Sequence, residues 1–371
     1  MTMLCHESEG PGTEEYLEQF RSKAERLHIP LAGSFELTHR CTLDCVHCYL
    51  GPRAEREAQR GREMSTVRIH GLIEEITAAG CLNLLITGGE PLLRGDFPAI
   101  YRHAKDNGLL VTVFTNGTIV TDEVIRLFRE LPPVEVEISV YGATALTYES
   151  VTRVPGSYER CLKGIRGLLE GGVKVNLKTV LMTSNRHEFG EMERMARDLG
   201  VRFRFDAAIS PRTDGDKAPL SLRVSPEEAI EKEFSDPGSL IKWKKFYEKF
   251  EGRRLGAALY GCGAGRTAFH IDPYGGLQPC MMTVDIRLDI AEARFAEGWA
   301  DLLPRIRSRQ AGEGFACGKC EKINLCGYCP AFFRLEGGLE DARSEYLCKM
   351  GELRFSRIRD YLSPGEDYGK Q

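Results

Sequence analysis

Residues 35–50 read FELTHRCTLDCVHCYL, a short apolar strand running into a loop that carries Cys41, Cys45 and Cys48 at CxxxCxxC spacing. Three thiolates on one loop can hold three corners of an iron–sulfur cube, and the fourth iron is then open to another molecule. The competing reading is a zinc site completed by His39 or His47, because zinc accepts mixed cysteine and histidine sets. Structural zinc ordinarily takes its cysteines as CxxC pairs, and no matching pair stands near this loop.

Outward from the loop, short β-rich runs alternate with segments of helical period. The runs are SFELT (34–38), LNLLIT (82–87), LLVTVFT (109–115), VEVEISV (134–140), VKVNLKTVL (173–181) and VRFRFDAA (201–208). Crossover helices are expected over Thr66–Ala79, Phe97–Asn107, Asp122–Leu131, Tyr158–Glu170 and Glu188–Leu199. Repeated βα units imply parallel strands with right-handed connections. Six units fall short of the eight in a closed barrel, so an α/β partial (β/α)6 barrel is expected, with its site at the C-terminal strand ends.

The rest of the chain is organised around that barrel. A helical extension at 1–30 precedes the barrel at 31–210, and a linker with a charged bridging helix (Glu227–Gly252) occupies 211–260. Residues 261–350 have Gly-rich turns, little periodicity and seven cysteines, which implies a second domain held by metal; 351–371 read as a helix and tail.

The chain has 371 residues, 42% hydrophobic and 28% charged, with 50 Lys+Arg against 54 Asp+Glu. Such balance gives no electrostatic footprint for nucleic acid or a membrane surface. No signal peptide and no run of 18 apolar residues is present, so a cytoplasmic protein is expected. Thirteen cysteines in that setting point to metal ligation rather than disulfides, and ten of them fall into two groups. Cys5, Cys81 and Cys161 stand outside both and read as small buried or incidental thiols, while Trp243 and Trp299 read as packing residues.

After the second strand come Gly88, Gly89 and Glu90. Paired glycines let backbone approach a ligand closely, and a following carboxylate can accept from an ammonium group. With the CxxxCxxC loop on the neighbouring strand, residues 33–210 resemble the radical S-adenosylmethionine enzymes. The resemblance implies that Cys41, Cys45 and Cys48 bind a 4Fe-4S cluster whose open iron chelates S-adenosylmethionine. Reductive cleavage then gives a 5'-deoxyadenosyl radical. It further implies that Gly88, Gly89 and Glu90 hold the methionine ammonium, that His47 lies against the adenine, and that Ser139 meets the ribose or carboxylate. Arg153 resembles the arginine that pairs with the methionine carboxylate, and its alternative is a surface arginine. Asn116, in Asn-Gly, resembles a further contact and is first of all a turn signal.

In the second group, Cys262 and Gly275 are followed by Cys280, the Cys317/Cys320 pair, Cys326, Cys329 and Cys348. One or two CxxC zinc sites would fit part of this. The whole pattern resembles the SPASM extension of the same family, which implies two auxiliary 4Fe-4S clusters, three clusters in all. By that resemblance Cys262, Cys280 and Cys329 hold the nearer cluster, and Cys317, Cys320, Cys326 and Cys348 the farther one. The Cys326–Cys329 gap is one residue shorter than usual, which bears on how the ligands are divided; Leu255–Gly261 lacks the extra cysteine of some members, so the nearer cluster is expected to have an open iron.

These features imply maturation of a ribosomally made peptide, with a thioether suiting an open auxiliary iron. Thirty residues before the first strand are too few for a winged-helix leader-binding domain, so leader recognition is expected to use another surface or a separate leader-binding protein, with an electron donor such as flavodoxin or ferredoxin. Met281 stands where sulfatase-maturing relatives carry Asp, which argues against that activity. Tailoring of a haem precursor or other small molecule is the enzymatic alternative. A non-catalytic electron carrier would account for the cysteines and leave Gly88–Glu90 and Ser139 unexplained.

Overall fold

The computed structural model describes residues 13–252 and 258–362. Cys5 and residues 363–371 lie outside the described residues. All six expected parallel strands form: β1 (Ala32–Glu36), β2 (Asn83–Thr87), β3 (Leu110–Thr115), β4 (Glu135–Ser139), β5 (Val175–Val180) and β6 (Arg202–Asp206). Before them runs α1 (Thr13–Leu27), and between them α2 (Arg53–Ala58), α3 (Thr66–Ala78), α4 (Phe97–Asp106), α5 (Asp122–Glu130), α6 (Ala145–Thr152), α7 (Ser157–Glu170) and α8 (Phe189–Asp198).

The helices start where side chains can take up free N–H groups: Ser65 accepts from Arg68 N and Thr121 from Val124 N, each at 3.3 Å. Ile69, Leu72, Ile73 and Ile76 then repeat at helical spacing along α3 and are buried. Each such side chain contributes about 1.5–3 kcal/mol by leaving water.

The charged run expected as one bridging helix is two, α9 (Pro226–Glu233) and α10 (Pro237–Phe250). Proline lacks the N–H that a continuous helix would need at 237, and Asp236 caps the second helix by accepting from Gly238 N at 3.1 Å.

The sheet does not end with β6 and β1. Its order is β6-β5-β4-β3-β2-β1-β7-β8-β9, with β7 (Ala268–Ile271), β8 (Gly276–Gln278) and β9 (Leu288–Asp289) drawn from the cysteine-rich region. β7 runs parallel to β1, Ala32 opposite Ala268 and Phe35 opposite Ile271, and β8 and β9 follow antiparallel. These strands are missing from the sequence reading because runs of two to four residues carry no usable period, and the partner of β7, β1, lies more than two hundred positions earlier in the chain. Beyond them lie α11 (Phe295–Arg307), α12 (Pro330–Gly337) and α13 (Glu345–Leu362).

Alternation along the strands gives the sheet two different faces. Phe35, Leu84, Ile86, Val111, Val113, Val136, Ile138 and Leu177 form a buried apolar face. Ser34, Thr87, Phe114, Ser139, Lys178, Arg204 and His270 line a cavity on the other. Trp299 and the lone thiols Cys81 and Cys161 are buried in the core. No described helix is long and apolar enough to cross a membrane.

Candidate active site

The cysteine loop is fastened to the glycine turn through backbone. Gly89 N donates to Thr38 O at 2.7 Å and Glu90 N to Arg40 O at 2.9 Å. Such closeness admits no side chain: a Cβ on Gly88 would lie 2.3 Å from Thr38 O, and one on Gly89 2.3 Å from Arg40 O. Gly88 also has φ +134°, a region that L side chains rarely adopt. On its other flank the loop is pinned to α6, Asp44 N to Thr152 O and Val46 N to Val151 O, both at 3.0 Å.

Cys41, Cys45 and Cys48 share one cavity of about 430 Å3 with Gly88, Gly89, Asn116, Ser139 and His47. Burial pushes the Cys41 thiol up to about 11 and raises Cys45 and Cys48 too, while the nearby Arg56 charge works in the opposite direction. Thiols in so apolar a place become thiolates when a metal replaces the proton. Among the described residues no three of His, Cys, Asp or Glu are grouped as a single metal ion would require. His39 is engaged elsewhere, its Nε2 lying 2.7 Å from Glu36 Oε2.

The expected site residues take distinct places. His47 packs edge-on to Tyr141 at 4.7 Å, and burial pushes its imidazole down to about 4, so it presents a neutral ring. Asn116 is more than a turn residue: its Nδ2 donates to Thr42 Oγ1 at 2.9 Å and reaches Cys41 Sγ at 3.5 Å. Glu90 is fully buried and accepts from Leu92 N (3.0 Å), Asn116 N (2.8 Å) and Thr115 Oγ1 (2.8 and 2.9 Å). Its oxygens are thus used within the protein, and the backbone of Gly88 and Gly89 is what the turn presents to the cavity. Arg153 is exposed at the C-terminus of α6 with φ +56° and lines a cleft with Asp44, Cys45, Arg53 and Arg212, so that cleft and the triad cavity share Cys45.

The inner wall adds residues that the sequence reading passed over. Lys178 Nζ lies 3.6 Å from Glu137 Oε2, and Arg204 binds the same carboxylate, its Nε donating at 3.0 Å. Burial pushes Lys178 down to about 7, against the attraction of Glu137. A signal was available: central parallel strands are usually apolar on both faces, yet EVE, NLK and RFRFD place polar groups at alternate positions. Beside the cysteines, Tyr49 OH donates to Glu36, which also faces His270. Burial works to raise the Glu36 carboxyl, and His39 and His270 together hold it well below the usual carboxylate range.

In the C-terminal region Cys317, Cys320, Cys326 and Cys348 line one small cavity. Cys329, Cys280 and Cys262 form a second neighbourhood: burial raises the Cys329 and Cys280 thiols, with Cys280 and Cys262 adding to the first and Cys262 to the second. Cys262 is exposed.

The parallel strands, the thiol triad and the glycine turn at the strand ends agree with a family match: residues 35–199 match the Radical SAM superfamily, and the chain carries a radical SAM domain. Among curated relatives it is 28% identical over 328 residues to the AdoMet-dependent heme synthase of Methanosarcina barkeri, covering 82% of this chain and 92% of that protein. It is 27% identical over 330 residues to the mycofactocin maturase MftC of Mycolicibacterium smegmatis, covering 85% and 81%. Among solved structures the fold is similar to Streptococcus suis SuiB bound to S-adenosylmethionine, with a TM-score of 0.66 and 16% identity over 94% of this chain and 83% of that one. Family membership implies S-adenosylmethionine and a 4Fe-4S cluster as cofactors.

Proposed function

We propose that this chain modifies a peptide, in the maturation of a ribosomally made precursor, by means of a 5'-deoxyadenosyl radical formed in the barrel cavity. The observation that carries the reading is that the thiol triad, the glycine turn, Ser139 and Met281 of the cysteine-rich region share that cavity. When bound at Cys41, Cys45 and Cys48, the cluster supplies the electron that cleaves the sulfonium of S-adenosylmethionine. Gly88 and Gly89 offer bare backbone to the methionine ammonium, the neutral ring of His47 walls the adenine, and Ser139 offers its hydroxyl to the ribose or carboxylate. Glu90 and Asn116 act behind them as positioning residues.

Two auxiliary 4Fe-4S clusters complete the proposal, one on Cys317, Cys320, Cys326 and Cys348 and one on Cys262, Cys280 and Cys329. The three-cysteine set leaves an iron for a substrate thiolate, which suits thioether formation. A fold of this kind can hold a peptide: SuiB has a crystal structure with the precursor peptide SuiA. A flavodoxin or ferredoxin would deliver the electron, and leader recognition would fall to a separate protein.

Tailoring of a haem precursor is the second reading, supported by the relatives named heme synthases. Anaerobic reconstitution tests the enzyme: about twelve irons per chain and 5'-deoxyadenosine from S-adenosylmethionine plus reductant are expected. Mass spectrometry of a co-encoded short peptide and of an iron porphyrin then separates the readings. A mass change in the porphyrin alone would transfer the assignment to the second, and a colourless zinc-loaded protein would end both.

A further inference from the structure

Arg56, on α2, is 4% exposed and lines the cavity with Cys41, Cys45 and Cys48. Its Nη1 donates to His39 O at 3.2 Å. The carboxylate nearest to it, on Asp44, stays 3.8 Å from Nη2, beyond hydrogen-bond reach, and is itself partly in solvent. Nε and Nη2 are buried without any hydrogen-bond partner. A buried guanidinium with two idle donors is costly unless something anionic takes them up. Cys41, Cys45 and Cys48 line the same cavity, and as cluster ligands they would present anionic sulfur acceptors there.

We propose that Arg56 donates its Nε and Nη2 hydrogens to sulfur atoms of the cluster held by Cys41, Cys45 and Cys48, and thereby sets the cluster's reduction potential. Hydrogen bonds to sulfur and local charge are among the levers that fix such potentials. Adding an electron makes the cluster more negative, so a fixed cation with two donors stabilises the reduced form and raises the potential. The role is one of positioning and electrostatics, and it rests on the assignment of the cluster to these three cysteines.

The test uses the full chain, reconstituted anaerobically as wild type, Arg56→Lys and Arg56→Gln. The cluster that responds to S-adenosylmethionine in the electron paramagnetic resonance spectrum is titrated potentiometrically before S-adenosylmethionine is added. The midpoint is expected to become more negative in Arg56→Gln and to fall between the two in Arg56→Lys, with iron content retained. Equal midpoints in all three proteins overturn the proposal, including the case where only affinity for S-adenosylmethionine drops, which would send the donors to the methionine carboxylate. Should Arg56→Gln lose its iron, the midpoint of Arg56→Lys decides alone. Absence of any S-adenosylmethionine-responsive signal in the wild type is a separate failure, that of the cluster assignment.

Discussion

The buried carboxylate of Glu90 accepts the backbone N–H of Asn116 at 2.8 Å, tying the turn after β2 to the end of β3. The acidic residue of the glycine turn thus spends its hydrogen bonds on the frame that carries Gly88, Gly89 and Asn116. Replacing Glu90 by Ala strands the donors of Leu92, Thr115 and Asn116 and is expected to cost about 1–3 kcal/mol for an unsatisfied buried group. Denaturant unfolding under nitrogen measures it, and an unchanged midpoint would show the contact to be dispensable.

Glu90→Gln separates the pH dependence. Burial raises the Glu90 carboxyl from 4.5 to about 7, against its donors. Between those values the folded chain holds a proton that the unfolded chain has released, so this group's contribution to stability falls as pH rises from 4.5 to 7. The wild type should lose stability relative to Glu90→Gln between pH 5 and 7.5. A constant difference would mean that the donors keep the group ionised.

Lys178 has the opposite sign. Its amine is depressed from 10.5 to about 7, so the unfolded chain binds more protons in that window and stability climbs with pH. Lys178→Met removes this slope: the variant should be the more stable at pH 6, and its advantage should shrink at pH 9.

Gly89→Ala puts a methyl 2.3 Å from Arg40 O. Overpacking of this kind costs about 1–3 kcal/mol, and here the part that yields is the cysteine loop. Circular dichroism should report an intact barrel while the iron content falls. Full iron with full cleavage would mean that the loop tolerates the displacement.

Alanine at Cys41, Cys45 and Cys48 together should remove about four irons and all formation of 5'-deoxyadenosine, with the auxiliary clusters still visible by electron paramagnetic resonance. Cleavage surviving the triple substitution would refute the site.

Much of this was readable because the signals are local. CxxxCxxC, Gly88–Glu90 and Ser139 each fall at or just beyond a strand's C-terminal end, so placing the strand places the residue. Lys178, Glu137 and Arg204 lie within β5, β4 and β6, where the alternating polar positions were the signal, and such a residue inside a barrel is written like one facing solvent.

The sequence by itself determined the six βα units, the thiol triad and the glycine turn, because periodicity and short spacings act over one turn or one strand. Only the tertiary structure decided that β7 lies against β1, with Ser34 Oγ 2.8 Å from His270 Nδ1. It likewise turned Glu90 inward and buried Arg56, with two idle donors, on the cavity of the cysteines. Those outcomes depend on pairing and burial between residues that tertiary packing brings together, from the next helix to strands hundreds of positions away, which no local pattern encodes.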